Sequence, residues 1–106
     1  MPDEPRRTGP EEQGDVATAT RARKAPRYMV VFHNADYTTR DFVVHVLTRF
    51  FALGEAEATH IMLSVHHKGR GVAGVFGRDI AETKALQVTE YAQSHRMPLK
   101  VTAEPE

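Results

Sequence analysis

The alternation of apolar and polar residues after residue 27 predicts a strand followed by an amphipathic helix. Residues 28–33 are β-branched, aromatic and nearly all apolar, which indicates a strand buried on both faces. Apolar residues then recur at helical spacing and define one face of a helix: Phe42, Val43, Val46, Leu47, Phe50 and Phe51. Thr38 or Thr39 can cap the start of this helix, and Gly54 is expected to end it.

Four further elements complete the pattern. A second helix over residues 55–67 is expected to stop at Gly69, and a second strand follows over residues 72–76. Asp79 is expected to cap a third helix, with Glu82 as its partner three residues on. The last strand is predicted over residues 99–102. The order β-α-α-β-α-β predicts the α+β class, as a small sandwich in which a three-stranded sheet packs against three helices.

The first 27 residues differ in composition from the rest of the chain. Pro, Gly, Thr, Glu and Arg dominate this segment, and its few apolar residues have no period. It has neither the apolar centre of a signal peptide nor the low acid content of a transit peptide. We therefore expect residues 1–27 to form a disordered N-terminal extension and residues 28–106 to form one folded domain.

The overall composition excludes several classes of protein. The chain has 14 basic and 14 acidic residues, so it has no net positive charge that would favour binding to nucleic acid or to an anionic membrane. The apolar runs are too short to cross a bilayer. The absence of Cys fits a reducing compartment, and we expect a cytoplasmic protein. No two of the six His residues stand four apart as in a helical zinc site, so no metal and no cofactor is predicted.

The polar break between the first strand and the first helix is the candidate site. Asn34 and Asp36 supply an amide oxygen and a carboxylate, and His66 adds a third acceptor when its ring is neutral. Three such acceptors suit a cation such as an ammonium group. The alternative is that Asn34 and Asp36 only shape the turn and that His66 is an ordinary surface residue.

An enzymatic site has weak support in the sequence. Ser64, Asp36 and His66 are the only candidates for a nucleophile, an acid and a base. Ser64 and His66 stand two apart on one predicted helix and do not face each other. No catalytic residue is therefore predicted.

Several blocks of sequence carry a family resemblance. The blocks HN-A-DYT, DFVVHVLTRFF, ATHIMLSVHHKGRGVAGVF, IAETKALQVTEYA and MPLKVT occur in one order over nearly the whole region after residue 27. In this order and spacing they resemble the ClpS family, the adaptors of the Clp protease. The fold of that family is a β-α-α-β-α-β sandwich, which agrees with the periodicity but is independent of it.

The resemblance implies an adaptor rather than an enzyme. Members of the family bind proteins whose N-terminal residue is Leu, Phe, Tyr or Trp, and deliver them to a Clp unfoldase for proteolysis. Position by position, Asn34, Asp36 and His66 match the family's ligands for the free α-amine of the substrate. The hydrophobic pocket for the substrate's side chain matches Thr38, Arg40, Val43, Met62, Val65 and Leu99.

Three positions depart from the family pattern. Ala35 replaces a second acid, Thr39 replaces a Pro, and Arg40 replaces a Met that borders the pocket. A guanidinium can stack on an aromatic ring, so we expect aromatic N-terminal residues to be favoured over Leu. The alternative is that the chain is a ClpS-like interaction module in which amine recognition is altered or lost.

The resemblance also implies a docking face and a partner. Asp79 and Lys84 match positions that contact the N-terminal domain of a ClpA-type AAA+ unfoldase. Both are expected on the exposed side of the third helix, away from the pocket. We expect a monomer whose N-terminal extension takes part in delivery, and which binds neither nucleic acid nor membranes.

Overall fold

The computed structural model of the chain describes residues 25–34 and 36–106. This part of the chain has three strands, which form one sheet, and three helices. In chain order they are β1 (Arg27–His33), α1 (Arg40–Phe51), α2 (Glu55–Lys68), β2 (Arg70–Gly77), α3 (Arg78–Ser94) and β3 (Lys100–Pro105). The predicted order and the α+β class are thereby confirmed.

Strand β1 begins at Arg27, one residue before the predicted strand over residues 28–33. Arg27 was assigned to the extension, but it is the first residue of β1 and pairs with Gly77 of β2. Its side chain also forms an ion pair of 3.2 Å with Glu106. Of the rest of the predicted extension, Ala25 and Pro26 are exposed, and residues 1–24 lie outside the described residues.

Strand β1 forms the centre of an antiparallel sheet with the order β2-β1-β3. Val30 pairs with Gly74 and Val31 with Val72, so the register shifts between these two pairs. Val30 and Phe32 join the cluster of apolar side chains beneath the helices, whereas Val31 lies outside that cluster. All three are fully buried, as the apolar composition of this strand predicts.

Each helix buries one apolar face, and the buried residues of α1 belong to the face that the sequence predicts. The buried residues of α1 are Phe42, Val43, Val46 and Leu47, those of α2 are Ala58, Met62 and Val65, and those of α3 are Ala81, Ala85, Val88 and Ala92. None of the helices in the described ranges combines the length and apolar composition needed to span a bilayer.

Helix α1 begins with a side-chain cap from Thr39. The Thr39 hydroxyl oxygen accepts a hydrogen bond of 3.1 Å from the backbone N–H of Phe42. Of the two threonines that the sequence offers, Thr39 is therefore the cap. This cap positions the first residue of the helix, Arg40.

Removing this cap is expected to destabilise the protein. The Thr39→Ala variant leaves the N–H of Phe42 without its partner, and we expect it to lower the free energy of unfolding by about 1 kcal/mol. Urea denaturation measures this change. Thr38→Ala is the matched control, because the Thr38 hydroxyl oxygen has no hydrogen-bond partner in the described part of the chain; an equal loss in both variants would contradict the role of Thr39.

The end of α1 differs from the prediction. Gly54 was expected to end this helix, but α1 ends at Phe51, and Ala52 takes the left-handed conformation with φ 54°. The ammonium of Lys84 on α3 donates to the carbonyl of Phe50 at 2.9 Å and satisfies one terminal carbonyl of the helix. Gly54 is instead the N-cap of α2.

The start of α3 also differs from the prediction. Asp79 was expected to be its N-cap, but β2 runs directly into the helix and Gly77 occupies the cap position. Asp79 lies in the first turn, where its charge favours the helix dipole. Glu82 pairs with Arg78 at 3.2 Å, so it does not act as a capping partner for Asp79.

The junction between α2 and β2 depends on two glycines. Gly69 ends α2, as predicted, with φ 86°, and its N–H donates to the carbonyl of Val65. A Cβ at Gly71 would lie 2.9 Å from Cγ2 of Val65 and 3.1 Å from the carbonyl oxygen of Ile61. Strand β2 therefore packs closely against α2 at Gly71. It begins at Arg70, two residues earlier than predicted. Strand β3 runs on to Pro105.

Candidate functional site

A pocket opens between the end of β1, the two helices α1 and α2, and the segment before β3. Its lining residues are His33, Asn34, Thr38, Arg40, Val43, Met62, Val65, His66 and Leu99. The structure thus brings together all the residues predicted for the hydrophobic pocket and two of the predicted amine ligands. These residues come from four separate segments of the chain.

The floor of the pocket is built from buried apolar side chains. Val43 is 5% exposed, Met62 8%, Val65 4% and Leu99 5%. Met62 is unbranched and adapts its shape more easily than the other three. The hydroxyl oxygen of Thr38 is also buried here and has no hydrogen-bond partner among the described residues. The floor is therefore apolar apart from one polar atom, the hydroxyl oxygen of Thr38.

One backbone hydrogen bond holds the polar turn against α2. The N–H of Asn34, directly after β1, donates to the carbonyl of Gly69 at 3.1 Å. Gly69 follows the last turn of α2, and this turn carries His66. The bond therefore keeps Asn34 close to His66 at the rim of the pocket.

Arg40 and His66 meet across this rim. Nη2 of Arg40, the first residue of α1, lies 2.6 Å from Nε2 of His66 near the end of α2. Both residues are exposed and both line the pocket. Because a guanidinium only donates, Nε2 of His66 is the acceptor, and the proton of the neutral ring is on Nδ1.

Asp36 is the one predicted amine ligand outside the pocket lining. It lies in the turn between β1 and α1, and its side chain is exposed. Ala35, which precedes it, lies outside the described residues. The structure therefore places Asp36 on the same turn as Asn34 but not in the wall of the pocket.

His33 lines the pocket although sequence reasoning assigned it no part in the site. Its Nε2 lies 2.8 Å from the hydroxyl of Thr102 and 3.4 Å from the carboxylate of Glu104. The hydrogen bond from Thr102, together with Arg70 at 3.0 Å, holds the pKa of Glu104 below its usual value. The only signal in the sequence for a role of His33 in the site was the position of this residue at the end of β1, directly before Asn34.

The candidates for metal binding and catalysis are not assembled in the described part of the chain. No cluster of three His, Cys, Asp or Glu side chains that could hold a metal is present among residues 25–34 and 36–106. The hydroxyl of Ser64 donates to the carbonyl of Arg70 at 3.0 Å, and Nε2 of His66 is bonded to Arg40. Ser64 and His66 are thus engaged with different partners.

The two residues of the expected docking face have different environments. Asp79 is exposed and lies beside a shallow groove lined by Ala25, Pro26, Tyr28, Gly77, Arg78 and Ile80. Lys84 was expected on the exposed side of α3, but it is half-buried. Its ammonium is bonded to Phe50 and lies 5.3 Å from the ring centre of Phe51 and 5.6 Å from that of Phe76. This correction follows from the packing of α3 against the end of α1.

The structure is a small α+β domain with a pocket in which buried apolar side chains and the polar residues Asn34 and His66 form a common lining. The sequence profile described as "ATP-dependent Clp protease adaptor protein ClpS" matches residues 23–102. The chain therefore belongs to the ClpS family, the adaptor proteins of the ATP-dependent Clp protease.

Individual relatives agree with this assignment. The ClpS adapter protein of Deinococcus radiodurans is 51% identical over 98 residues, which cover 92% of this chain and 87% of that protein. The ClpS adapter protein of Roseobacter denitrificans is 48% identical over 100 residues, covering 91% and 88%. The solved structure of Agrobacterium tumefaciens ClpS2 bound to L-phenylalaninamide superposes with a TM-score of 0.74 at 41% identity, covering 76% of this chain and 98% of that one.

Proposed function

We propose that this adaptor binds proteins bearing a large hydrophobic N-terminal residue, Leu, Phe, Tyr or Trp, and delivers them to a Clp AAA+ unfoldase. The observation that carries the proposal is the pocket, which is lined both by buried apolar side chains and by the polar residues Asn34 and His66. The Agrobacterium relative supports it, since that protein binds L-phenylalaninamide, a small molecule with a free α-amine and an aromatic side chain.

In this proposal the side chain of the substrate's first residue enters the apolar pocket, and its ammonium group meets the acceptors at the rim. Asn34 and His66 line the pocket, and Asp36 on the same turn as Asn34 supplies the negative charge. An ammonium has three donors, which three acceptors satisfy. An internal residue has no such charge, so the arrangement selects chain ends.

Labelled peptides that differ only at the first residue test the pocket. A peptide with N-terminal Phe is expected to bind roughly 10- to 100-fold more tightly than one with N-terminal Ser, because only the Phe side chain removes a large apolar surface from water. Fluorescence anisotropy measures both affinities. Equal affinity for the two peptides would contradict the use of the pocket.

One observation favours the alternative of an interaction module with altered or lost amine recognition. The acceptor atom of His66 is already bonded to Arg40. In that alternative the contact is permanent, and a peptide binds equally well with a free or a blocked N-terminus.

The partner in delivery is proposed to be the N-terminal domain of a ClpA-type unfoldase, with Asp79 and Lys84 in the docking face. The exposure of Asp79 supports its direct participation. Lys84 is engaged with the carbonyl of Phe50, so its loss is expected to lower stability as well as docking. We propose further that the protein acts as a cytoplasmic monomer without catalytic activity.

Neutralising Asp79 is expected to weaken docking and to lower the free energy of unfolding by at most about 1 kcal/mol, through the lost interaction with the helix dipole. The Asp79→Asn variant should lower the affinity for the isolated N-terminal domain of the unfoldase by about two- to fivefold, which is the usual size of an exposed charge contact. Glu90→Gln is the matched control, because Glu90 is an exposed acid further along α3. Isothermal titration calorimetry measures both variants, and an equal effect of the two would argue against a specific role for Asp79.

A further inference from the structure

Arg40 is bonded to Nε2 of His66, the atom that is proposed to accept a hydrogen bond from the substrate's ammonium group. Its guanidinium donates to Nε2 of His66 at 2.6 Å. A neutral imidazole has a single acceptor nitrogen, so His66 cannot accept from Arg40 and from an incoming ammonium at the same time. Both donors are cationic, and they also repel each other.

The pocket below this contact is too small for the side chains it is proposed to bind. Its volume is about 20 Å³, which is room for about one water molecule. A protein cavity that accepts a benzene ring measures about 150 Å³. Entry of a Leu or Phe side chain therefore requires the lining to move. Of the lining residues, Arg40 combines a long side chain, an exposed position and a place at the rim.

We propose that Arg40 is a gate that determines the specificity of the pocket. In the free protein it occupies His66 and closes the rim, and the ammonium of the substrate displaces it. This inference rests on the function proposed above. The substrate then forms its hydrogen bond to His66 only when the hydrogen bond between Arg40 and His66 breaks. Arg40 therefore lowers the affinity for N-terminal residues that give its guanidinium no new partner.

An aromatic N-terminal residue offers the displaced guanidinium a new partner. The start of α1 is held by the cap of Thr39, so Arg40 stays beside the mouth of the pocket after it leaves His66. A Phe, Tyr or Trp ring near the mouth presents a face on which a guanidinium stacks, whereas Leu presents none. The gate therefore favours aromatic residues over Leu by rejecting Leu more strongly.

The Arg40→Met variant tests this selection, because Met fills similar space without a donor or a charge. We expect it to bind an N-terminal Leu peptide about fivefold more tightly than the unaltered protein does, since the competing contact is gone. Affinity for the matching Phe peptide should stay level or fall, since the stacking partner is gone. The ratio of the affinity for the Leu peptide to the affinity for the Phe peptide is therefore expected to rise. An unchanged ratio would overturn the gate.

A matched control separates the gate from a general effect of charge. Arg49→Met removes the same charge from an exposed position on the same helix, at a site where the guanidinium lies over Phe50 and Tyr91 instead of at the pocket. This control is expected to leave the Leu-to-Phe ratio unchanged. If it shifts the ratio as Arg40→Met does, the selection comes from net charge and the gate is wrong.

A spectroscopic measurement tests the contact without any peptide. Long-range ¹H–¹⁵N correlation spectra at about pH 8, where histidine is neutral, report which ring nitrogen carries the proton. His66 should show its proton on Nδ1 in the unaltered protein and a shifted balance of tautomers in Arg40→Met. The neighbouring His67 should not change. Identical His66 spectra would overturn the gate. If the His66 spectra differ as expected but no peptide binds, the contact between Arg40 and His66 stands, and the proposed function is overturned together with the selection that rests on it.

Discussion

Acetylation of the α-amine of an N-terminal Phe peptide is expected to lower its affinity for this protein by about 100-fold. A free N-terminus has a positive charge and three donors, whereas the acetylated one has no charge and a single donor. The acetylated peptide would then cover the acceptor atoms of Asn34, Asp36 and His66 without donating hydrogen bonds to all of them. Two labelled peptides that differ only in the acetyl group, measured by fluorescence anisotropy, give the ratio directly.

The Asp36→Asn variant shows whether the carboxylate is responsible for this discrimination. It should lower the affinity of the free peptide by about tenfold or more and leave the acetylated peptide unaffected, since a charge-assisted hydrogen bond is lost. Asp41→Asn is the control, because Asp41 is an exposed acid in the first turn of α1. Equal binding of free and acetylated peptides would contradict amine capture and favour the alternative interaction module.

Replacement of Phe32 is expected to have the largest effect on stability. Phe32 lies in the central strand, is fully buried, and packs edge-to-face on Phe51 with 5.7 Å between ring centres. The Phe32→Ala variant should lower the free energy of unfolding by about 3–5 kcal/mol, through lost burial and the cavity left behind. Urea denaturation followed by circular dichroism measures the change.

The matched control for Phe32 is another aromatic residue near the same site. Tyr37 is 83% exposed, so Tyr37→Ala should change the free energy of unfolding by less than about 0.5 kcal/mol. Because Phe32 directly precedes His33 and Asn34, its loss is also expected to weaken peptide binding. A cost similar to that of Tyr37→Ala would show that β1 is not the centre of the core.

The core of the domain could be predicted from the sequence because its signals are local. The apolar spacing of α1 placed Val43, Val46 and Leu47 on one face, and all three are buried there. The helix boundaries were predicted less well. Gly54 and Asp79 were assigned as a stop and a cap from residue type alone, but Lys84 supports the end of α1 and Gly77 precedes α3 without a side-chain cap.

The sequence by itself determined the order of the elements, the apolar face of α1 and most of the residues that line the pocket, since each follows from periodicity or from the resemblance to the ClpS family; it did not indicate His33, and it included Asp36, which lies outside the lining. Only the tertiary structure decided that Arg40 bonds to His66, that Lys84 is bonded to Phe50, and that His33 reaches Thr102. The physical reason is distance along the chain. Periodicity reflects neighbours within about four residues, whereas these contacts join residues 26, 34 and 69 positions apart. They exist only once the packing of the helices and the register of the sheet are set.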